Sequence, residues 1–181
     1  GFKHVKISIN ITHKTLLEPL LNQYLLPKIK QLDLSFSDIY LEINENSFVN
    51  DQEEVIKQIE HLRKLGIHIV LDNFGSEYSS LSFLDSVNID TIKVDQSFVK
   101  KLPRVSTETI LQTIMTIGSI QNKRVIVEGV ERDEQIQLLE KLGYYLFQGY
   151  YYTKPKKIQD IISEFTPNVF YHDGWLSIHM T

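Results

Sequence analysis

A parallel α/β sheet curled into a barrel is the fold this sequence predicts, on three observations. Apolar, β-branched runs recur as HVKISINI, DIYLEIN, GIHIVLD, DTIKVDQ, RVIVEGV and YYLFQGYY. Segments with helical spacing lie between them, and strand-helix alternation along the whole chain implies a parallel sheet, open or closed. Within the strands one face is apolar while the other turns polar near its end. That suits a barrel whose inward face lines a mouth at the C-terminal ends of the strands.

The elements follow in order. In VKISINI, Val5, Ile7, Ile9 and Ile11 share one face, and Ser8 and Asn10 share the other. Residues 15–32 carry the stripe Leu17, Leu20, Leu21, Tyr24, Leu25 and Ile29, which Pro27 should kink or interrupt. In YLEIN, Leu41 and Ile43 oppose Glu42 and Asn44. Residues 51–65 put Val55, Ile59, Leu62 and Leu65 on one helical face, with Gly66 as the stop. The run Ile69-Val70-Leu71 ends abruptly in Asp72-Asn73, and in TIKVD, Ile92 and Val94 oppose Lys93 and Asp95. Residues 106–120 place Ile110, Ile114 and Ile117 on one face behind Ser106 or Thr107 as N-cap. Residues 133–142 repeat the pattern with Ile136, Leu139 and Leu142, closed by Gly143.

Composition excludes several classes of function. The 181 residues suffice for one domain with a sizeable core. A net charge of -4 gives no global positive field to hold a nucleic-acid polymer or an anionic membrane. The absence of cysteine removes disulfides and thiolate-bound zinc and fits a reducing, cytoplasmic setting. No apolar run is long enough to span a bilayer, so no membrane contact is expected from this chain. The histidines, His4, His13, His61, His68, His172 and His179, have no ligand spacing and read as surface or packing residues.

The polar residues at the predicted strand ends are Asn10, Glu42, Asp72 with Asn73, Lys93 with Asp95, Glu128 and Gln148. In one barrel they converge on one mouth, where Glu42, Asp72, Asp95 and Glu128 face a single lysine. Two like charges about 4 Å apart repel by roughly 4 kcal/mol at an effective dielectric near 20, so the cluster calls for protons, separation or cations. Hard oxygen donors without cysteine or a histidine pair favour Mg²⁺, Mn²⁺ or Ca²⁺ over zinc. Such ions activate water against a phosphodiester, which makes metal-assisted phosphoester hydrolysis one reading. The other is that each acid caps a helix or ends a strand in solvent.

These segments resemble a known family. LEINEN, LDNFGSEYSSLSFLDSVNIDTIKVDQSFV and VIVEGVERDEQIQLLEKLGYYLFQGYYYTKP, preceded by ISINIT, are similar in order and content to the motifs of EAL-type cyclic-di-GMP phosphodiesterases. The resemblance runs to about residue 165, giving a domain over 1–165 and a tail over 166–181. It implies a (β/α)8 TIM-like barrel that hydrolyses cyclic di-GMP to the linear dinucleotide pGpG with two Mg²⁺ or Mn²⁺ ions. By matched position, Asn10, Glu42 and Asp72 correspond to metal ligands, Asn73 stands where the family has a second aspartate, and Glu128 is a further carboxylate at the metal or water site. Lys93 corresponds to the lysine that holds the attacking water, Asp95 to the acid beside it and Gln148 to the glutamine near water and substrate. Glu45 matches a glutamate that braces the loop after the acidic pair, and Glu131 the second acid of the E-G-V-E segment.

Three departures accompany the match. The Glu-Ala-Leu strand that names the family does not occur, so about six strand-helix units of eight are expected. Position 73 offers an amide in place of a carboxylate. Glu77 replaces the second glycine of the loop, where a Cβ conflicts with a positive φ or a close ligand approach. Two readings follow: a metal-dependent phosphodiesterase, impaired or inactive in this chain, or a non-catalytic module that binds cyclic di-GMP or a protein partner. An open six-stranded sheet has unpaired edges, which predicts a homodimer, strand exchange or a distorted barrel.

Overall fold

The computed structural model describes residues 6–19, 21–48, 52–75, 84 and 86–164. Val5, Leu20, Glu77, His4 and the tail 166–181 with its two histidines fall outside them. Among the described residues six strands form one parallel sheet in sequence order: β1 (Ile7–Ile11), β2 (Ile39–Asn44), β3 (His68–Phe74), β4 (Thr91–Val94), β5 (Arg124–Glu128) and β6 (Phe147–Gln148). The sheet curls into a half-barrel, as its inward side chains show. Arg124 on β5 donates to the Tyr40 hydroxyl on β2 at 3.1 Å, across three strand spacings that amount to about 14 Å in a flat sheet. This is the incomplete α/β barrel that the sequence predicts.

The outward face is the apolar one. Leu41, Ile43, Ile69, Leu71, Ile92, Val94 and Val127 pack beneath helix residues Leu16, Val55, Ile59, Leu62, Leu111 and Leu139 in one continuous core. Each such aliphatic side chain, removed fully from water, contributes about 1.5–3 kcal/mol. The expected helices cover this face as α3 (Gln52–Lys64), α5 (Val105–Ile120) and α6 (Asp133–Lys141), with short α4 (Gln96–Lys100) after β4 and α7 (Ile158–Glu164) after β6. Gly66 closes α3 with φ +97°, as its position predicts.

Two expectations are corrected. The helix predicted over 15–32 is broken into α1 (His13–Leu17), a π-helical turn (Leu21–Leu25) and α2 (Leu26–Gln31). The break lies at Pro19, whose ring forces the preceding Glu18 into extended backbone at ψ 151°. Pro27 sits in the first turn of α2, where no amide donor is required. The second correction concerns α5, which begins at Val105 with Arg104 in the N-cap position and no side-chain cap. Its buried side is Thr107, Leu111, Ile114 and Gly118, and Ile110 is 47% exposed. Gly118 sets this rotation, because a Cβ there would collide with the Val125 side chain.

At the N-terminal end of the sheet Asp90 ties three strands together. Its carboxylate accepts from Arg63 and, at 2.8 Å, from the Ile69 amide, while its carbonyl accepts from the Arg124 amide at 3.0 Å. His68, read from the sequence as a surface or packing residue, stacks on the fully buried Tyr40 ring with centroids 4.5 Å apart. This end of the barrel is structural, which leaves the opposite end for chemistry.

Candidate functional site

Strand alternation delivers one inward side chain from each of several strands to the C-terminal end of the sheet. Asn10 comes from β1, Glu42 and Asn44 from β2, Asp72 from β3, Lys93 from β4, Glu128 from β5 and Gln148 from β6. Register places Asn10 opposite Glu42, Asn44 opposite Asp72, and Glu128 opposite Gln148. An open cleft of about 480 Å³ at this end is lined by Asn10, Thr12, His13, Asn44, Asn46, Ser47, Asp72 and Asn73.

Lys93 is the centre of the cluster. Its Nζ lies 2.5 Å from Glu128 Oε1, 2.9 Å from Glu42 Oε2 and 3.6 Å from Asp72 Oδ1, with only 1% of the residue exposed. At 3.6 Å the Asp72 oxygen is attracted by charge without a hydrogen bond, and Asp72 Oδ1 is a buried atom with no hydrogen-bond partner. Burial works against the ammonium, but the charges of Glu128, Glu42 and Asp72 outweigh it and hold the lysine pKa above that of free lysine. The acids respond the other way. Burial raises the Asp72 and Glu128 pKa values; Lys93 opposes the rise without cancelling it, and the neighbouring carboxylates add to it.

The Asp72-Asn73 pair sits on a β-bulge, a feature invisible in the sequence pattern. Leu71 pairs with Ile92 and Phe74 with Val94, so β3 spends one residue more than β4 across this interval. Asn73 takes up the difference with φ +57°, a left-handed conformation that an asparagine tolerates better than most residues. Its Nδ2 donates to Asp72 Oδ2 at 3.0 Å. The loop that follows is tied to β2's end: the Gly75 amide donates to Glu45 Oε2 at 3.1 Å.

The other expected residues are more dispersed. Asp95 Oδ1 accepts from the Ser97 amide at 2.8 Å and caps α4, the bland role for a strand-end acid. Glu131 is exposed on the loop after β5, where the Gln135 side chain accepts from its amide at 2.9 Å. Gly149 beside Gln148 must be glycine, because a Cβ would strike the Val130 backbone. Ser8, buried and not singled out by its motif, donates to Glu42 Oε1 at 2.5 Å. Its signal in the sequence was only that it shares the inward face with Asn10.

Three carboxylates against one ammonium leave two negative charges in excess, and Asp72 Oδ1 lacks a donor. That donor set, all hard oxygens, fits a divalent cation of the Mg²⁺, Mn²⁺ or Ca²⁺ kind. The oxygens are gathered around Lys93 Nζ, and among the described residues no group of three or more acidic or imidazole side chains is already spaced for an ion. Loading would require the carboxylates to shift part of their contact from the lysine to the metal.

Comparison with known proteins adds five findings. A family model described as EAL domain matches residues 1–155. Cyclic di-GMP phosphodiesterase NbdA of Pseudomonas aeruginosa is 29% identical over 156 residues, which is 86% of this chain and 20% of that protein. The chain spans about a fifth of the length of the curated relatives it matches. Among solved structures, the EAL enzyme Bd1971 with cAMP and cyclic di-GMP bound superposes with a TM-score of 0.83 at 29% identity, over 87% of this chain and 42% of that one. The Klebsiella pneumoniae BlrP1 complex with manganese and cyclic di-GMP gives 0.78 at 26% identity, over 82% of this chain and 38% of that one.

Proposed function

The chain belongs to the EAL domain family, and from that premise we propose that it is a cyclic-di-GMP phosphodiesterase module acting in bacterial second-messenger signalling. The observation that carries the reading is the meeting of Glu42, Asp72 and Glu128, from three strands, on the buried Lys93. Residues 1–165 form the barrel module of this proposal, and residues 166–181 are a tail outside it.

Asn10, Glu42, Asp72 and Glu128 would hold Mg²⁺ or Mn²⁺, with the Asn73 amide beside them. Bound there, such ions polarise a phosphodiester and lower the pKa of water. The chain's own residues do the rest. Lys93, kept charged by its three carboxylates, has one ammonium proton beyond those given to Glu128 and Glu42, and that proton would position a water and oppose negative charge on phosphate. Gln148, paired with Glu128 in register, supplies an amide on the substrate side. Glu45 fixes the loop carrying Asp72 and Asn73 through the Gly75 amide. Asp95 supports the start of α4 through its bond from the Ser97 amide, and the Glu131 amide, held by Gln135, anchors the loop after β5. The cleft, of about 480 Å³, is within the range for a small-ligand site and opens directly over Asp72.

A second reading rests on Asn73. Its amide donates to Asp72 Oδ2, occupying with a neutral hydrogen bond a place where the family has a second carboxylate. A module so altered binds cyclic di-GMP without turnover and with little dependence on metal. Among the described residues no helix is long and apolar enough to cross a membrane, and a cytoplasmic location is part of the proposal.

The test is to incubate the full-length protein with cyclic di-GMP and Mg²⁺ or Mn²⁺ and follow pGpG by chromatography. Product that disappears with chelator supports the phosphodiesterase. Calorimetric binding of cyclic di-GMP with no product supports the second reading, and neither binding nor product defeats both.

A further inference from the structure

We propose that Ser8 is a positioning residue of this site, one that fixes the carboxylate plane of Glu42 so that a single oxygen faces Lys93 and any divalent ion. The proposal deepens the reading above and rests on it only for the identity of the ion.

Glu42 is 2% exposed, and each of its oxygens has one donor from a different strand. Ser8 on β1 donates to Oε1 at 2.5 Å, and Lys93 on β4 donates to Oε2 at 2.9 Å. The last torsion of a glutamate is broad and nearly two-fold, so packing alone does not choose which oxygen points where. Two donors on opposite sides do choose. Ser8 is itself 4% exposed, which keeps bulk water from replacing its hydroxyl, and a hydroxyl has one proton to give. That proton is committed to Oε1.

Register explains how so short a side chain reaches. Asn10, not Ser8, lies opposite Glu42 in the β1–β2 pairing, and Ser8 is two residues earlier on the same inward face. The Glu42 side chain leans along its strand toward Ser8 and spans the diagonal. Loss of the hydroxyl leaves Oε1 a buried acceptor without a donor. The carboxylate then turns to share Lys93 between both oxygens, and Oε2 is no longer aimed by two fixed contacts.

Outer-shell hydrogen bonds of this kind are typically worth ten- to a hundredfold in metal affinity. The experiment uses the full-length protein and its Ser8→Ala, Ser8→Cys and Ser8→Thr variants, with Mn²⁺ binding followed by electron paramagnetic resonance and crystal structures of the metal-free proteins. Ser8→Ala is expected to weaken Mn²⁺ by at least about tenfold, Ser8→Cys by an intermediate factor, and Ser8→Thr, which keeps the hydroxyl, by no more than about threefold. In the structures, both Glu42 oxygens should turn to share Lys93 in Ser8→Ala, whereas in Ser8→Thr Oε1 should keep the hydroxyl and Oε2 alone its 2.9 Å contact with Lys93. Equal Mn²⁺ affinity in the wild type and Ser8→Ala overturns the proposal, as does an unmoved Glu42. If the wild type holds no Mn²⁺, the metal reading falls, and the Glu42 positions alone decide for or against Ser8. Should Ser8→Ala fail to fold, the ordering of Cys against Thr carries the same decision.

Discussion

Lys93 Nζ lies 2.5 Å from Glu128 Oε1, and this pair is the lynchpin of the charge balance at the strand ends. With Lys93 replaced by Met, Glu42, Asp72 and Glu128 lose their shared cation while still largely buried. Removing one partner of such a pair typically destabilises by about 3–5 kcal/mol. Urea unfolding of Lys93→Met should show a loss of that order, partly restored by millimolar Mn²⁺ if the carboxylates accept the ion. Phosphodiester hydrolysis, where the wild type shows it, should disappear even at saturating metal.

Asn73→Asp should move stability and metal binding in opposite directions. The Asn73 amide now donates to Asp72 Oδ2 at 3.0 Å, and aspartate replaces that bond with repulsion between adjacent carboxylates. Aspartate tolerates the left-handed φ of +57° as asparagine does, so the bulge survives. Expected are a metal-free protein less stable by about 1 kcal/mol and a tighter site for Mg²⁺ or Mn²⁺. Calorimetric metal titration beside thermal melting measures both, and a rise in pGpG formation would assign the amide as the brake on turnover.

How far the sequence could be read is clear from these residues. The six strand runs, their inward polar ends and the cluster of Glu42, Asp72, Lys93 and Glu128 were legible because a period of two assigns each side chain to a face. The bulge at Asp72-Asn73 was not, since an extra residue in one strand leaves no mark until its partner strand is known. Asp95 belongs to the inward series by spacing, yet its side chain caps α4. An acid one residue before a helix has that local alternative always at hand. The apolar stripe runs on through Pro19 and so hides the break there, while Pro27 looks like the interruption, although a proline in the first helical turn costs nothing and one after an extended residue ends a helix. Ser8 was hidden because its role depends on a diagonal contact between strands 34 residues apart in sequence.

Gly75 and Gly66 offer a controlled comparison in backbone strain. Both have positive φ, +86° and +97°. A Cβ on Gly75 would lie 2.7 Å from the Phe98 ring, whereas one on Gly66 meets nothing closer than 3.8 Å. Gly66→Ala should therefore cost about 1 kcal/mol, from the left-handed conformation alone. Gly75→Ala should cost more, about 2–4 kcal/mol, because Phe98 must move as well. Since the Gly75 amide is held by Glu45 Oε2, the alanine variant should also lose function out of proportion to its stability. Thermal melting of both variants beside cyclic-di-GMP binding separates the two effects.

Asp90, at the opposite end of the barrel, sets a pH dependence that is independent of the cleft. Burial alone would raise its pKa, but the hydrogen bonds from Arg63, the Ile69 amide and His68 prevail and hold it below the ordinary aspartate value of 3.8. For a carboxyl whose folded pKa is depressed, the unfolded chain takes up the proton first as pH falls. Its contribution to stability is thus fully present above the unfolded pKa and is lost as pH drops through the folded one. Asp90→Asn removes the charge and keeps the shape. Hydrogen bonds to a charged group are worth about 1.5–3 kcal/mol, reduced here because Asp90 and Arg63 are both partly solvated, to about 1–2 kcal/mol. The wild type should exceed Asp90→Asn by that amount near pH 7. The gap should stay constant on acidification until the unfolded aspartate begins to titrate, about pH 5, and then close progressively as pH falls through the depressed folded pKa. Urea titrations of both proteins across that range measure it, and cyclic-di-GMP binding near neutral pH should be alike in the two, because Asp90 faces the floor of the barrel and not its mouth.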